Sequence, residues 1–147
     1  MRHAKSDWGD QSLSDFERPL NDRGQRAAPL IGGFLRREKL QPQLALSSPA
    51  ERARQTARLV IEAAGIAGVA LRYDERIYEA SAAQLQSVIA QIEEDVSVAL
   101  LIGHNPGFTD LLAALTGEAQ HMPTAALAQI ALNIEKWSGV SANCGQL

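Results

Sequence analysis

The 147-residue chain, 46% hydrophobic and 21% charged, is long enough to bury most of its unfolded surface in one domain spanning 1–147, and too short for a second full domain. Its 17 acidic and 14 basic residues leave a formal charge of −3 with the signs interspersed, which excludes a global attraction to nucleic acid or anionic lipid; any anion site must be a local cluster. The longest apolar runs, such as VALLIG (98–103), fall far below a membrane span of roughly 20 residues, and the N-terminus carries no signal-peptide apolar stretch. The lone Cys144 cannot form an internal disulfide, and together these features predict a cytoplasmic protein with no membrane partner.

The first periodic segment, NDRGQRAAPLIGGFLRREK (21–39), has a helical rhythm that Pro29 and the pair Gly32 and Gly33 weaken at its middle, where a bend is expected. The apolar run QLALSS (43–48) predicts a strand. Ser48, Pro49 and Glu51 then supply an N-cap, a first-turn proline and a capping-box glutamate, opening a helix in which Ala53, Ala57, Val60, Ile61 and Ala64 share a face. VALRYD (69–74) alternates as a strand does. Ser81 with Gln84 forms a second capping box before a stripe of Leu85, Val88, Ile89 and Ile92. VSVALLIG (96–103) reads as a buried strand, HNPG as a turn, FTDLLAALTG (108–117) as a helix ended by Gly117, and ALAQIALNI (126–134) as a last strand. The small and polar residues after Trp137 predict a partly disordered tail. Strands alternating with helices give an α/β three-layer sandwich with a mainly parallel central sheet flanked by helices.

Ligands of such sheets collect beyond the carboxyl ends of the strands. Three segments place polar residues there: Arg2 with His3, the stretch SSPAER (47–52), and GHNPG (103–107). If the strands are parallel, Arg2, Arg52, His3 and His104 meet on one edge beside the N-terminal amides of the helix opened by Pro49. Two guanidiniums with helix-end donors suit a tetrahedral dianion such as a phosphoryl group. Arg54 lies about 200° around the helix from Arg52, so it is assigned with Arg58 to the exposed face. His121 is read as a surface-loop residue without a partner. The chain has no Walker-type loop, no His-Glu-x-x-His helix, no zinc spacing and no Gly-x-Ser-x-Gly elbow, which leaves a metal-free phosphoryl site.

The segments RHAKSDW, ERPLNDRGQRAA, SSPAERARQTA and GHNPGFTDLLAALTG, in that order over roughly positions 2 to 117, resemble the four blocks of the histidine phosphatase superfamily, the phosphoglycerate-mutase-like fold. The Arg-His-Ala opening and RPLNDRG are most similar to its SixA-type phosphohistidine phosphatase branch. The resemblance implies that His3 is the nucleophile, that Arg2, Arg52, His104 and Asn105 bind the phosphoryl oxygens, and that Glu79 in RIYEAS is the nearest match to the general acid. It implies no metal and no cofactor. Lys5 and Gly9 stand where many relatives carry a glutamate and mutases an asparagine. Only Met1 precedes the Arg-His pair, so either the chain as given lacks part of the strand that carries it or that strand is unusually short.

A leaving imidazole needs less acid assistance than an alkoxide, so a weak acid suits a phosphohistidine substrate. Short connections leave little chain for a lid, which disfavours a mutase. The expected partner is a phosphorylated protein carrying phosphohistidine, or a small phosphorylated substrate. The alternatives are a small-molecule phosphomonoesterase and a phosphoryl-binding module without turnover.

Overall fold

The structure, a computed structural model, describes residues 1–147. Helix α1 (Asp22–Arg37) begins where Asn21 accepts a hydrogen bond from the Gly24 amide at 2.9 Å, and it runs unbroken through Pro29 and the glycine pair. Gly32 explains the tolerance. A Cβ there would lie 2.3 Å from the Val60 carbonyl oxygen, so the missing side chain is what lets α1 lie against α2 (Glu51–Ala64). Gly24 permits a second close approach, of the first turn of α1 to the N-terminal segment, where a Cβ would stand 2.2 Å from the carbonyl oxygen of Lys5.

The start of α2 differs from expectation. Its first residue is Glu51, Ala50 occupies the N-cap position, and no side chain caps it. Ser48 is fully buried at the end of strand β1 (Leu44–Ser47), where its hydroxyl accepts from the Ala50 amide at 3.3 Å and meets His104. A tertiary partner has claimed the group that local spacing assigned to the cap. The second capping box forms as expected, with Ser81 and Gln84 bonded reciprocally at the start of α3 (Ala82–Ile89).

Strands β1, β2 (Ala70–Tyr73) and β3 (Ala99–Ile102) are parallel in the order β2-β1-β3, with Leu44 opposite both Ala70 and Ala99. A parallel bridge from Arg2 to Gly103 continues the sheet past β3. Period-two alternation sorts the residues between two layers. Leu44 and Leu46 pack with Leu85, Val88, Leu111 and Leu112 of α3 and α4 (Gly107–Thr116), whereas Ala45, Leu100 and Ile102 pack with Ala28, Ala57 and Val60 of α1 and α2. The sandwich is thus three layers thick, and each buried leucine or isoleucine contributes roughly 1.5–3 kcal/mol.

The last expected strand is mostly absent. Ala125 and Ala126 bond to His3 and Arg2, but past them only Ala131–Leu132 (β4) pairs, antiparallel with Gly145–Gln146 (β5) and apart from the main sheet. The intervening residues have no strand alongside. Nor is the tail disordered: Trp137 donates its indole N–H to the Val96 carbonyl at 2.6 Å, and Val140 and Cys144 pack against the core. A hollow of about 570 Å³ lies by this segment at the amino ends of the strands, lined by Leu100, Ile130 and Trp137 among others and by no histidine or arginine.

Two adjacent glycines should answer oppositely to one substitution. Gly32→Ala forces α1 from α2 and is expected to destabilise by about 1–3 kcal/mol. Gly33, with no atom within 4 Å of the place a Cβ would take, should gain about 0.5–1 kcal/mol as alanine. Urea unfolding of both variants checks the pair.

Candidate active site

The carboxyl ends of β1 and β3 and the N-terminal segment converge on one pocket. The backbone of Met1–His3 is fastened on both sides: His3 N–H donates to Gly103 at 2.9 Å and Arg2 N–H to Ala126 at 3.0 Å, while Ala125 N–H donates to His3 at 3.0 Å. Thr56 of α2 ties the next residue down, accepting from the Ala4 amide at 3.0 Å and donating to the Arg52 carbonyl at 2.7 Å. His3, Arg52 and His104 are all buried.

The two imidazoles are 4.9 Å apart, centroid to centroid, and differ in their hydrogen bonds. His104 Nδ1 lies 3.3 Å from Arg52 Nη2, and since a guanidinium only donates, Nδ1 is the acceptor and the ring proton falls to Nε2, which donates to Ser48 Oγ at 2.8 Å. Both ring nitrogens of His104 are therefore engaged. In His3 the Nδ1–H donates to the Ala4 carbonyl at 2.7 Å, and Nε2 has no partner in the chain. Its lone pair is free.

Burial holds both rings neutral. Desolvation dominates and, helped by the nearby Arg52 and Arg2 charges, brings His3 down to about 4 against the upward pull of the Ala4 hydrogen bond, the second-largest influence, and of Asp15. Desolvation, then the neighbouring His3 and Arg52, bring His104 down to about 3. A neutral, partner-free imidazole nitrogen beside guanidinium groups can attack an electrophilic centre whose oxygens those groups hold.

Arg2 donates from Nη1 to the Met122 carbonyl at 2.9 Å, and Asn105 Nδ2 donates to the same oxygen at 3.0 Å. Arg2 Nε and Asn105 Oδ1 are left buried without partners. Glu79 stands apart from this cluster. It is exposed, adopts a left-handed φ of 51°, and forms none of the pocket's hydrogen bonds, while its neighbour Tyr78 sets its ring edge-on to His104 at 5.4 Å. Such a φ costs a non-glycine residue about 1–3 kcal/mol. Arg54 turns away as expected, onto the Tyr73 ring at 4.6 Å, Arg58 is exposed, and so is His121.

Sequence reasoning missed the loop over the pocket. Residues 7–19 leave and re-enter the fold at a bridge between Ser6 and Leu20, and place Asp15 on Arg52: Oδ2 accepts from Nη2 at 2.7 Å, and the Asp15 carbonyl accepts from Nη1. The other carboxylate oxygen accepts from buried Arg18, and Tyr78 donates to Oδ2 at 3.0 Å. Burial pushes the Asp15 carboxyl up, but bonds from Arg18, Arg52 and Tyr78 outweigh it and hold it at about 2. Phe16 caps α2 from outside, its carbonyl accepting from the Glu51 amide at 3.0 Å, so that helix-end donor is not free for a ligand. The one local signal for this cluster was an acidic and a basic residue three apart before Pro19.

The chain is similar to known proteins in sequence and in fold. The model of the histidine phosphatase superfamily (branch 1) matches residues 1–120. An uncharacterized protein of Mycobacterium tuberculosis is 34% identical over 158 aligned positions, covering 100% of this chain and 96% of that one. Among solved structures, a protein from Agrobacterium tumefaciens assigned as the phosphohistidine phosphatase SixA is 35% identical with a TM-score of 0.74, over 80% of this chain and 75% of that chain. The protein histidine phosphatase SixA in complex with tungstate is 27% identical with a TM-score of 0.76, over 90% and 85% of the two chains. The chain is a phosphatase by kinship, and it belongs to the histidine phosphatase superfamily (branch 1).

Proposed function

We propose that the protein removes phosphoryl groups from phosphohistidine on a partner protein, through a phosphorylated His3. The observation that carries this reading is the contrast between the two pocket histidines: His3 Nε2 is free, and both nitrogens of His104 are occupied. In the first step the His3 Nε2 lone pair forms a bond to phosphorus, the phosphorus–nitrogen bond of the substrate breaks, and the departing imidazole takes up a proton. Water then attacks phosphorus, inorganic phosphate leaves, and the electron pair returns to Nε2.

Arg2 and Arg52, with Asn105 beside Arg2, take the roles of holding and neutralising the transferred oxygens, and His104, neutral and with both ring nitrogens engaged, reaches them only by giving up its bond to Ser48. Arg2 Nε is a buried N–H donor without an acceptor. Leaving such a donor unpaired costs about 1–3 kcal/mol, which an entering oxyanion recovers. Protein-borne phosphohistidine is favoured as substrate because its imidazole leaves with little acid assistance, and Glu79, exposed and outside the hydrogen-bonded cluster, offers little. The likeness to the SixA structures at 35% and 27% identity points the same way.

The deciding experiment incubates the purified protein with a phosphohistidine-bearing carrier protein and, separately, with small phosphate esters, alongside His3→Ala. His3-dependent release from the carrier is the expected result. Turnover of esters alone moves the assignment to a small-molecule phosphatase with Glu79 as its acid, and turnover of neither by a folded protein leaves a phosphoryl-binding module. Arg52→Ala should lower kcat/KM on the preferred substrate by about 10²–10³-fold, the cost of one charge-stabilising donor.

The depressed histidines also set two pH responses. Because His3 stays neutral down to about 4, kcat/KM corrected for substrate ionisation should show no fall centred near pH 6.5. Stability should behave otherwise. Between about pH 6.5 and 4 the unfolded chain takes up protons on His3 and His104 that the folded chain refuses, so stability present above 6.5 is lost as pH falls through that window. A pH–rate profile and urea midpoints across pH 4–8 check both.

A further inference from the structure

We propose that Asp15 is the pocket's resident anion: its carboxylate and main-chain carbonyl occupy the Arg52 fork that a phosphoryl group must use, so substrate and product bind by displacing it. The inference rests on the reading of Arg52 as a phosphoryl ligand.

Arg52 offers its two terminal nitrogens as the fork that matches a tetrahedral anion. Both are engaged by Asp15, Nη2 at 2.7 Å on Oδ2 and Nη1 on the Asp15 carbonyl. The next residue, Phe16, places its carbonyl on the first amide of α2. Two consecutive loop residues thus set three acceptor oxygens on donors whose place in the sequence suits a phosphoryl group.

The pair is lopsided in a way that makes Asp15 the partner that leaves. The Arg52 side chain is 7% exposed and fixed in the wall of the pocket; the Asp15 side chain is 46% exposed, so its carboxylate returns to water at little desolvation cost. The loop that carries it is built to move as a unit. Its ends are pinned together by the Ser6–Leu20 bridge and by Asp7 N–H donating to Pro19 at 2.8 Å. Between them most of its hydrogen bonds are internal: Gly9 to Asp7, Ser12 to Asp10 and Ser14 to Glu17. This is the pattern of a compact Ω-like loop that shifts without disturbing its base.

Charge completes the exchange. A phosphoryl dianion outcompetes a single carboxylate for the guanidiniums, since it brings more charge and more acceptor oxygens than Asp15 offers. Two anions cannot share one fork without repulsion, so Asp15 departs. The same competition weakens product binding, because inorganic phosphate must displace Asp15 and is expelled as the carboxylate returns. Asp15 is accordingly a positioning residue that keeps Arg52 oriented between turnovers and sets how loosely the pocket holds phosphate.

The test measures binding of inorganic phosphate by calorimetry, and its competitive inhibition constant against the preferred substrate, for the unaltered chain, Asp15→Asn, Arg52→Ala and the double variant. Removing the charge should tighten phosphate binding by about tenfold or more, as expected when a competing bound state is depopulated. KM should fall with the inhibition constant while kcat changes less, and the gain should vanish in the Arg52→Ala background. Unchanged or weaker phosphate binding by folded Asp15→Asn overturns the proposal and leaves Asp15 a structural brace.

A second readout needs no variant. The Trp8 ring lies 3.4 Å from the Arg18 guanidinium that Asp15 also grips, so its indole N–H resonance should shift as phosphate saturates the unaltered protein. A resonance that stays put at saturation contradicts displacement of the loop. The two readings fail separately: His3-dependent turnover with no gain in Asp15→Asn sinks this inference alone, and a gain in phosphate binding without turnover of any substrate sinks the catalytic reading alone.

Discussion

The pocket depends on how three residues of backbone lie in the sheet. Met1, Arg2 and His3 run beside the end of β3, with the amino group on the Leu101 carbonyl at 2.7 Å and Gly103 N–H on the Met1 carbonyl at 3.2 Å, and they are held from the other side by Ala125 and Ala126. Side-chain bonds fix the same stretch: Thr56 holds Ala4, and the carbonyl of Ala4 holds the imidazole of His3. The bond that orients the ring is also the bond that assigns its proton to Nδ1. Position, tautomer and reactivity of His3 therefore follow from one stretch of chain.

Enclosure sets the electrostatics. Two histidines share a small volume with Arg2 and Arg52, and a pocket that protonated its histidines would stack further positive charge on the guanidiniums. Burial and mutual repulsion resolve the conflict by keeping both rings neutral, which is the form a nucleophile needs. The guanidiniums are balanced from outside by Asp15, itself held ionised by the bonds that Arg18, Arg52 and Tyr78 donate. A net acidic chain sustains a basic pocket because the counter-charge sits on a loop at the rim and not in the wall.

Much of this was legible in the sequence wherever the signal was local. The capping box at Ser81 and Gln84 and the left-handed stop at Gly117 read directly, because each satisfies backbone groups within a few residues. Arg2, His3, Arg52 and His104 could be gathered in advance because strand ends in a parallel sheet share an edge. Ser48 was misread since its local capping geometry competed with His104 and lost. ALAQIALNI has the composition of a strand, yet a strand exists only beside another, and the neighbour needed past Ala126 is not there. Asp15 was invisible for a related reason: no periodicity marks a loop, and its partners lie 37 and 63 residues further on.

In the proposed reaction all of the chemistry turns on the free nitrogen of His3. Rapid acid-free quenching of the protein during turnover of a substrate labelled with ³²P, followed by peptide mapping, asks where the phosphoryl group rests between the two steps. An alkali-stable, acid-labile label on the peptide carrying His3, at Nε2, is the result the geometry predicts. A label on the His104 peptide instead, or steady turnover with no labelled protein under conditions that trap phosphohistidine, would contradict it.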